Sequence, residues 1–409
     1  MFRFLYRKQY FIFLIILFSI FFFAKCVNNS STQKSDDKGL KSNQYAGSAK
    51  CATCHQDIYN THIKTAHFLT SQKSSEQNIK GSMENDKNKF YYNPYIYVAV
   101  QKRGDIFYQV EYVNGVEKFS RPVDITVGSG KRGQTFLNWS QNRLFQLPLT
   151  YFTSLGQWTN SPGFSNRVVF NRPITSRCLE CHSTYFEVDS KEGAMIDEFS
   201  NAKIIYGVDC EKCHGPGAQH VDFQTKNPTE KKAQFIINPK NLDRQQNLDN
   251  CRLCHGGRLA KTKPSFSFIV GDRLSDYFHI DSLGPDVTNI DVHGNQYGMM
   301  AASKCFRMSQ MTCQICHNPH ENETGKKEVF SQRCISCHSE QHNNFCRMKN
   351  KVGNTISNNC IDCHMPELPS KAIMVLLQGE NIPTSASMRS HYISIYKNES
   401  DKFLNKSNK

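Results

Sequence analysis

The sequence predicts a mainly helical or irregular fold with a small antiparallel β-insertion at about residues 90–150. The first observation is a Cys-x-x-Cys-His motif that occurs seven times and uses fourteen of the seventeen cysteines. The second is an apolar fraction of only 38%, which is low for a chain of 409 residues. The third is a motif-free stretch in which polar and apolar residues alternate with the period of a strand.

Each motif contains the residues that attach a haem covalently. Two thiols about one helical turn apart can each add to a haem vinyl group, and the histidine behind them then ligates the iron. A bare Cys-x-x-Cys would leave zinc and redox disulfides as alternatives, and the histidine after every pair favours haem c. The sequence therefore predicts seven covalently attached haems c. In chain order, motifs one to seven supply the thiols Cys51, Cys54, Cys178, Cys181, Cys210, Cys213, Cys251, Cys254, Cys313, Cys316, Cys334, Cys337, Cys360 and Cys363. The proximal ligands are His55, His182, His214, His255, His317, His338 and His364.

The N-terminus predicts export. A positively charged start precedes 13 consecutive positions from Phe11 to Phe23 that are apolar except for one serine. This run is shorter than the roughly 20 residues of a membrane-spanning helix, and it predicts a signal peptide at residues 1–25. Cys26 begins a polar linker at residues 26–46 and resembles the lipid-modified cysteine of bacterial lipoproteins. Ordinary cleavage or an uncleaved short anchor is the alternative. The predicted location is the periplasm or cell envelope, as a membrane-anchored lipoprotein.

The formal net charge of +14 does not indicate a nucleic-acid partner. Seven haems would add fourteen propionates, and these offset most of the lysine and arginine excess. The expected partners are redox proteins or membrane quinol and cytochrome systems.

The motifs divide the exported chain into segments. These are an N-terminal haem segment at residues 47–89, the β-rich insertion at 90–150, haems two to four in 151–260, a connecting segment at 261–300, haems five to seven in 301–370, and a C-terminal tail at 371–409. In the insertion, Asn114-Gly115 predicts a tight turn between strands. Residues 128–133 match G-x-G-x-x-G, but a strand-like stretch follows them, so they indicate a glycine-rich turn.

Eight histidines outside the motifs can fill the seven axial positions that the proximal histidines leave free. The predicted distal ligands are His67, His220, His293, His320 and His391. His62 and His342 are left open, and His279 is expected not to bind iron. Methionine is the rival distal ligand, and the alternatives of that type are Met299, Met300 and Met365.

Two cysteines, Cys305 and Cys346, flank motifs five and six without belonging to a motif. Because the predicted compartment is oxidising, a disulfide between them is the favoured interpretation. Two buried free thiols, or one thiolate near an iron, are the alternatives.

The stretches CATCH…THIKTAHF, GVDCEKCHGPGAQH and TCQICHNPH resemble multihaem cytochromes c of the cytochrome c-554 class. They are most similar to a bacterial group, common in Bacteroidetes and Planctomycetes, that carries such motifs around a β-insertion. The resemblance covers most of residues 47–395. It implies haems stacked in pairs, two histidine ligands on most irons, and distal roles for His67, His220 and His320.

These features predict an electron conduit rather than an enzyme. An iron with two histidine ligands has no vacant position for a small molecule, and closely spaced haems can pass electrons between redox partners. The alternative is a reductase or oxidase of a small nitrogen or sulfur compound with one open-site haem. All seven motifs end in histidine, which favours the conduit, and no catalytic residue is predicted.

Overall fold

The computed structural model describes residues 44–407 except 165, 191–192, 281–289, 343 and 381. The predicted signal peptide, the lipidation site Cys26 and the linker up to residue 43 lie outside the described residues. Within the described part of the chain, no helix is both long and apolar enough to cross a membrane.

The helices are short, and most of the motifs lie on them. They are α1 (Ser48–Ala52), α2 (Gln56–His62), α3 (Ser176–His182), α4 (Cys210–His214), α5 (Ala218–Lys226), α6 (Arg244–His255), α7 (Gln296–Ala302), α8 (Lys304–Arg307), α9 (Lys327–Ile335), α10 (Lys349–Val352), α11 (Ile361–His364) and α12 (Lys397–Ser407). The Asp209 carboxylate accepts the Cys210 amide at 2.7 Å and caps α4. A capping box of Asp243 and Gln246 begins α6. These caps fix where two of the motif helices begin.

The strands form five antiparallel sheets among the described residues. They are β1 (Ser71–Lys73), β2 (Lys89–Asn93), β3 (Ile96–Arg103), β4 (Ile106–Val113), β5 (Val116–Pro122), β6 (Ile125–Val127), β7 (Gly133–Ser140), β8 (Arg143–Gln146), β9 (Leu149–Phe152), β10 (Gln157–Asn160), β11 (Arg172–Pro173), β12 (Ser183–Val188), β13 (Phe199–Tyr206), β14 (Ala260–Lys261), β15 (Phe278–His279), β16 (Glu367–Val375) and β17 (Thr384–Arg389). Strands β1 and β6–β11 form a seven-stranded sheet, and β2–β5 form a four-stranded meander. The pairs β12–β13, β14–β15 and β16–β17 are separate two-stranded sheets.

The predicted mainly helical or irregular fold class is wrong, because antiparallel sheet is not confined to a small insertion. Strands β12 and β13 lie between motifs two and three, and β16 and β17 follow motif seven. Strands β12 and β13 contain the aromatic residues that strands favour, and β16 and β17 contain the β-branched residues Ile373, Val375 and Thr384. The sequence predicted β-structure only at about residues 90–150, and both hairpins lie outside that range.

The predicted turn at Asn114-Gly115 is present between β4 and β5. Asn114 has φ 52° and Gly115 has φ 76°, as a two-residue hairpin turn with two positive φ angles requires. The glycine-rich turn at residues 128–133 leads directly into β7, so a strand follows it and not a helix.

Buried side chains connect the sheets to motif two. One core, with Phe90, Val98 and Phe136 among its members, fills the space between the two large sheets. A second core joins β7 and β8 to Leu179 of α3 and to Phe186 of β12. Leu179 lies between the two cysteines of motif two and is 1% exposed. Truncating such a leucine costs about 2–5 kcal/mol, so this packing holds the motif firmly against the sheet.

Candidate haem-binding site

Each of the seven predicted motifs forms about one helical turn. Motifs two, three and four lie in α3, α4 and α6. In the other four, the histidine amide donates to the carbonyl of the first cysteine at 2.9–3.1 Å, as in His55 to Cys51, His317 to Cys313, His338 to Cys334 and His364 to Cys360. Both thiols and the imidazole therefore project from a single turn, as covalent haem attachment requires.

Six of the predicted ligands meet as three imidazole pairs. A histidine nitrogen lies roughly 2 Å from the metal that it binds, and the ring centroid lies about 1.1 Å further away given ordinary C–N bond lengths. Two imidazoles on opposite sides of one metal therefore have centroids about 6.2 Å apart. The observed separations are 6.0 Å for His214 and His320, 6.1 Å for His67 and His255, and 6.2 Å for His317 and His391. Each pair combines a motif histidine with a predicted distal histidine, and each spacing fits an iron between the rings.

Backbone carbonyls orient several of these imidazoles through Nδ1. The pairs are His214 with Ile237, His220 with Gln234 and His364 with Ser394, at 2.8–2.9 Å. Nδ1 of His255 meets the Gln296 side-chain oxygen at 3.0 Å. Since an oxygen acceptor places the ring proton on Nδ1, Nε2 is left free to bind a metal.

The surroundings keep many of these histidines neutral. Burial lowers the pKa of His67, His182 and His391 to about 4. Burial also lowers the pKa values of His214, His255, His293, His317 and His320. Desolvation disfavours the charged ring, and the neutral ring is the form that binds metal. Although burial lowers the pKa of both, the side chains of His67 and His255 remain exposed to solvent.

For the other predicted ligands, the structure shows fewer contacts with a motif histidine. Burial has the largest effect on the pKa of His182, and the charge of His293 lowers it further, so the two residues lie within electrostatic range of each other. Among the described residues, no ring contact joins His220 to a motif histidine. Within the same part of the chain, no second imidazole faces His55, His338 or His364 at this spacing. The distal role of His220 stays a prediction.

His62 has the features of a ligand, although the predicted set omits it. The residue is 7% exposed, its Nδ1 lies 3.3 Å from the Pro319 carbonyl, and its buried Nε2 has no hydrogen-bond partner. Its ring centroid lies 6.2 Å from that of His320. The nearest carboxylate, Asp209 Oδ1, is 3.8 Å from Nε2. The sequence signal was its place in the helix after motif one, but its burial depends on Pro319 and Asp209, which are distant in sequence.

The structure leaves Cys305 and Cys346 as free thiols, so it does not contain the predicted disulfide. Cys305 lies within electrostatic range of Cys316 and Cys334, whereas Cys346 lies within range of Cys363. The two thiols therefore stand beside different motifs.

Cysteines of different motifs meet in four pairs. In each pair the two thiols lie close enough to shift each other's pKa: Cys51 with Cys210, Cys181 with Cys254, Cys251 with Cys313, and Cys334 with Cys360. Each pair brings two attachment turns into contact.

A buried carboxylate within motif three also holds the segment before motif one. Glu211 is 5% exposed, and its two oxygens accept the amides of Ala46 and Gly47 at 2.7 and 2.9 Å. The same carboxylate accepts the Gly217 amide at 2.7 Å. Charge-assisted hydrogen bonds of this kind are stronger than neutral ones, so the two motifs are fixed relative to each other.

The chain is similar to known proteins over parts of its length. Residues 165–215 match the family model described as cytochrome c554 and c-prime. The dissimilatory sulfite reductase MccA of Wolinella succinogenes is 26% identical over 230 residues, which cover 48% of this chain and 28% of that protein. The multihaem cytochrome MtrA of Shewanella baltica is 27% identical over 193 residues, which cover 40% of this chain and 52% of that protein. The chain thus spans well under two thirds of either relative.

The fold is similar to that of a protein of known structure, the outer cell wall cytochrome OcwA. The TM-score is 0.53, and the superposition covers 88% of this chain and 82% of that one at 16% sequence identity. At this identity the likeness establishes a shared fold.

Proposed function

We propose that this chain, which is a multihaem c-type cytochrome with haem c as its cofactor, carries seven haems and transfers electrons between redox partners. The observation that carries the proposal is the set of three imidazole pairs with centroids 6.0–6.2 Å apart. Two imidazoles occupy both axial positions of an iron, which leaves no position for a small substrate. Such a site suits one-electron transfer, because the ligand set stays the same in both oxidation states.

The residues present fit this cofactor. Fourteen motif cysteines would form the thioether bonds, and the seven motif histidines would be the proximal ligands. His67, His320 and His391 would complete three of the sites, and His293 and His220 are proposed for two others. When bound, haem c supplies Fe(III)/Fe(II) chemistry. The chain contributes the Nδ1 acceptors that hold the rings, and the burial and hydrogen bonds that set the reduction potentials.

Contacts between motifs support conduction across the protein. The four thiol pairs place attachment turns of all seven motifs against one another. Arg333, on the helix of motif six, donates to the Cys316 carbonyl of motif five at 2.7 Å. Electron tunnelling between cofactors weakens steeply with distance, so adjoining attachment turns favour rapid exchange.

The proposed location is outside the cytoplasm, with the chain held at a membrane by a lipid on Cys26. The support is the basic and apolar N-terminal pattern, together with the attachment of haem c outside the bacterial cytoplasm. The proposed partners are redox proteins or membrane quinol and cytochrome systems, and no nucleic acid.

A second candidate function is reduction or oxidation of a small nitrogen or sulfur compound at one open haem. Two observations favour it. Among the described residues, His55, His338 and His364 have no second imidazole at the pair spacing, and one relative is a dissimilatory sulfite reductase. That relative is matched over 28% of its length, which is why the conduit is preferred.

Low-temperature EPR of the fully oxidised protein tests the proposal. Only low-spin ferric signals are expected, and a high-spin signal that integrates to one iron would move the assignment to the enzyme. Pyridine haemochrome and intact-mass measurements should give seven haems per chain. Clearly fewer haems would contradict the assignment of the motifs.

A further inference from the structure

The segment from Arg389 to Ser394 lies against the turn of motif seven and is hydrogen-bonded to it at both ends. At its start, Arg389 Nη1 donates to the Met365 carbonyl at 2.8 Å and to the Ile361 carbonyl at 3.1 Å. At its end, the Ser394 carbonyl lies 2.9 Å from Nδ1 of His364, and the Ser394 amide donates to the His364 carbonyl at 3.2 Å. The segment is thus fixed to both ends of α11.

The Arg389 guanidinium also binds a carboxylate inside the motif. Its Nη2 donates to Oδ1 of Asp362 at 2.8 Å, and Asp362 stands between Cys360 and Cys363. Oδ2 of the same carboxylate accepts Lys327, on the helix of motif six, at 2.7 Å. Arginine carries several donors in a rigid planar fork, so one side chain can bind two carbonyls and a carboxylate together. The start of the segment is therefore held by a charged group at the attachment turn.

His391 lies between these two anchor points and faces a different motif. Its ring centroid is 6.2 Å from that of His317 in motif five, and the two planes differ by 30°. The Ser390 amide donates to the Pro366 carbonyl at 2.9 Å, so the backbone is bound to the end of motif seven one residue before the ligand. Only Ser390 separates the arginine that binds motif seven from the histidine that faces motif five.

The contacts of His391 with the preceding helices involve neutral groups. The His391 amide lies 3.4 Å from the sulfur of Met299, and a thioether is a weak acceptor. The Ser303 hydroxyl lies 3.4 Å from the His391 carbonyl and accepts the Ile393 amide at 2.9 Å. Because charge-assisted hydrogen bonds are stronger than neutral ones, we expect the position of His391 to depend mainly on Arg389.

We propose that Arg389 is a positioning residue that makes ligation of the motif-five iron depend on the attachment turn of motif seven. The guanidinium fixes the segment on that turn, and the fixed backbone directs the His391 imidazole towards His317. One segment then serves two irons, because Ser394 at its other end orients the proximal ring of motif seven. Motif six separates the two motifs in the chain, so the order of the motifs does not predict this dependence. The inference rests on the proposed function.

EPR of the oxidised full-length holoprotein tests the proposal with the variant R389Q. Glutamine lacks the charge and the planar fork, so the His391 imidazole should no longer be held at the iron. The high-spin ferric fraction is expected to rise by about one seventh of the total iron, while pyridine haemochrome should still show a haem for every motif. The matched control is R143Q, which removes another arginine–carboxylate pair, Arg143 with Glu198 at 2.6 Å. R143Q should leave the spectrum unchanged.

Two further measurements separate positioning of His391 from a general disturbance of the structure. The double variant R389Q/H391A should show the same high-spin fraction as H391A alone, because both changes open the same iron. Imidazole added to R389Q should return the spectrum to low spin, since His317 still binds the iron and free imidazole can take the position that His391 leaves.

An R389Q spectrum without additional high-spin iron overturns the proposal. An additive increase in R389Q/H391A does so too, because Arg389 would then act on a different iron. Loss of one haem from R389Q, with all remaining irons low spin, would show that Arg389 serves motif seven alone. If H391A itself stays fully low spin, the pairing of His317 with His391 fails, and with it an observation that carries the proposed function. The two failures are therefore distinguishable.

Discussion

Replacing His320 with alanine is expected to convert one of the seven proposed haem irons from low spin to high spin. The His320 ring lies 6.0 Å from that of His214, and the two planes differ by only 11°. The Ile237 carbonyl holds Nδ1 of His214 at 2.9 Å, so the proximal ring should remain in place. The iron then has one strong axial ligand, and about one seventh of the ferric iron should appear as high spin.

The assay is spin-integrated EPR at low temperature, with the total haem measured as pyridine haemochrome. Nearly parallel imidazole planes give an ordinary rhombic low-spin signal, and that is the signal H320A should remove. H67A should instead remove a signal with larger g anisotropy, because the His67 and His255 planes differ by 62°. His342 is the matched control. It is exposed and its Nδ1 contacts the Ser339 hydroxyl, so H342A should leave the spectrum unchanged.

His62 provides a route by which H320A could remain low spin. Its Nε2 is buried and unpartnered, and its ring lies close to that of His320. The double variant H62A/H320A removes both rings. If this variant also shows only low-spin iron, then the pairing of His214 with His320 is refuted.

Three further predictions concern the protein around the ligands. Glu180 is 1% exposed and accepts both the Phe266 amide at 2.7 Å and the Arg177 guanidinium at 2.8 Å, so E180Q should lower the free energy of unfolding by about 1–3 kcal/mol in guanidinium titrations. E328Q, at an exposed site, should change the free energy of unfolding little. Equal effects of E180Q and E328Q would contradict the role of the buried carboxylate. Lys131 donates to Asn322 and Thr324 at 2.5 Å, and its charge acts on His67. K131M should therefore lower the reduction potential of one haem in a spectroscopic titration. The control K118M, on the exposed strand β5, should leave all potentials unchanged. Unchanged potentials in K131M would contradict the effect of the Lys131 charge. Finally, alkylation of the denatured but unreduced protein should label both Cys305 and Cys346, as judged by peptide mass spectrometry, whereas a disulfide between them would leave both peptides unlabelled.

Most of the site residues could be predicted from the short spacing of cysteine and histidine within each motif. Two thiols and a histidine in one turn form a short-range pattern, and the structure closes that turn with amide hydrogen bonds at motifs one, five, six and seven. His67, His320 and His391 could be predicted as distal ligands because the sequence suggested few other roles for these histidines. The motif histidine that each of them faces could not be predicted from the sequence. His67, for example, meets His255 through contacts between segments far apart in sequence.

The hairpins outside the insertion were missed for a different reason. Strand β16 contains Pro369, a residue that argues against a central strand, and its pairing with β17 has an irregular register beyond that position. Ser183–Val188 reads as a short aromatic run directly after a motif. Its strand character comes from β13 and from packing against Phe266 and Leu179, which a single short segment does not reveal.

The pairing of His317 with His391 has a consequence for biogenesis. A polypeptide is synthesised N-terminus first, so His67 is already available when motif four arrives, whereas His391 follows all seven motifs. A chain truncated before His391 would keep every attachment thiol but leave the iron at motif five with a single imidazole. Such a product would be coloured and fully loaded, yet open to oxygen and peroxide. Addition of the segment that contains His391 would thus close the proposed iron site at motif five.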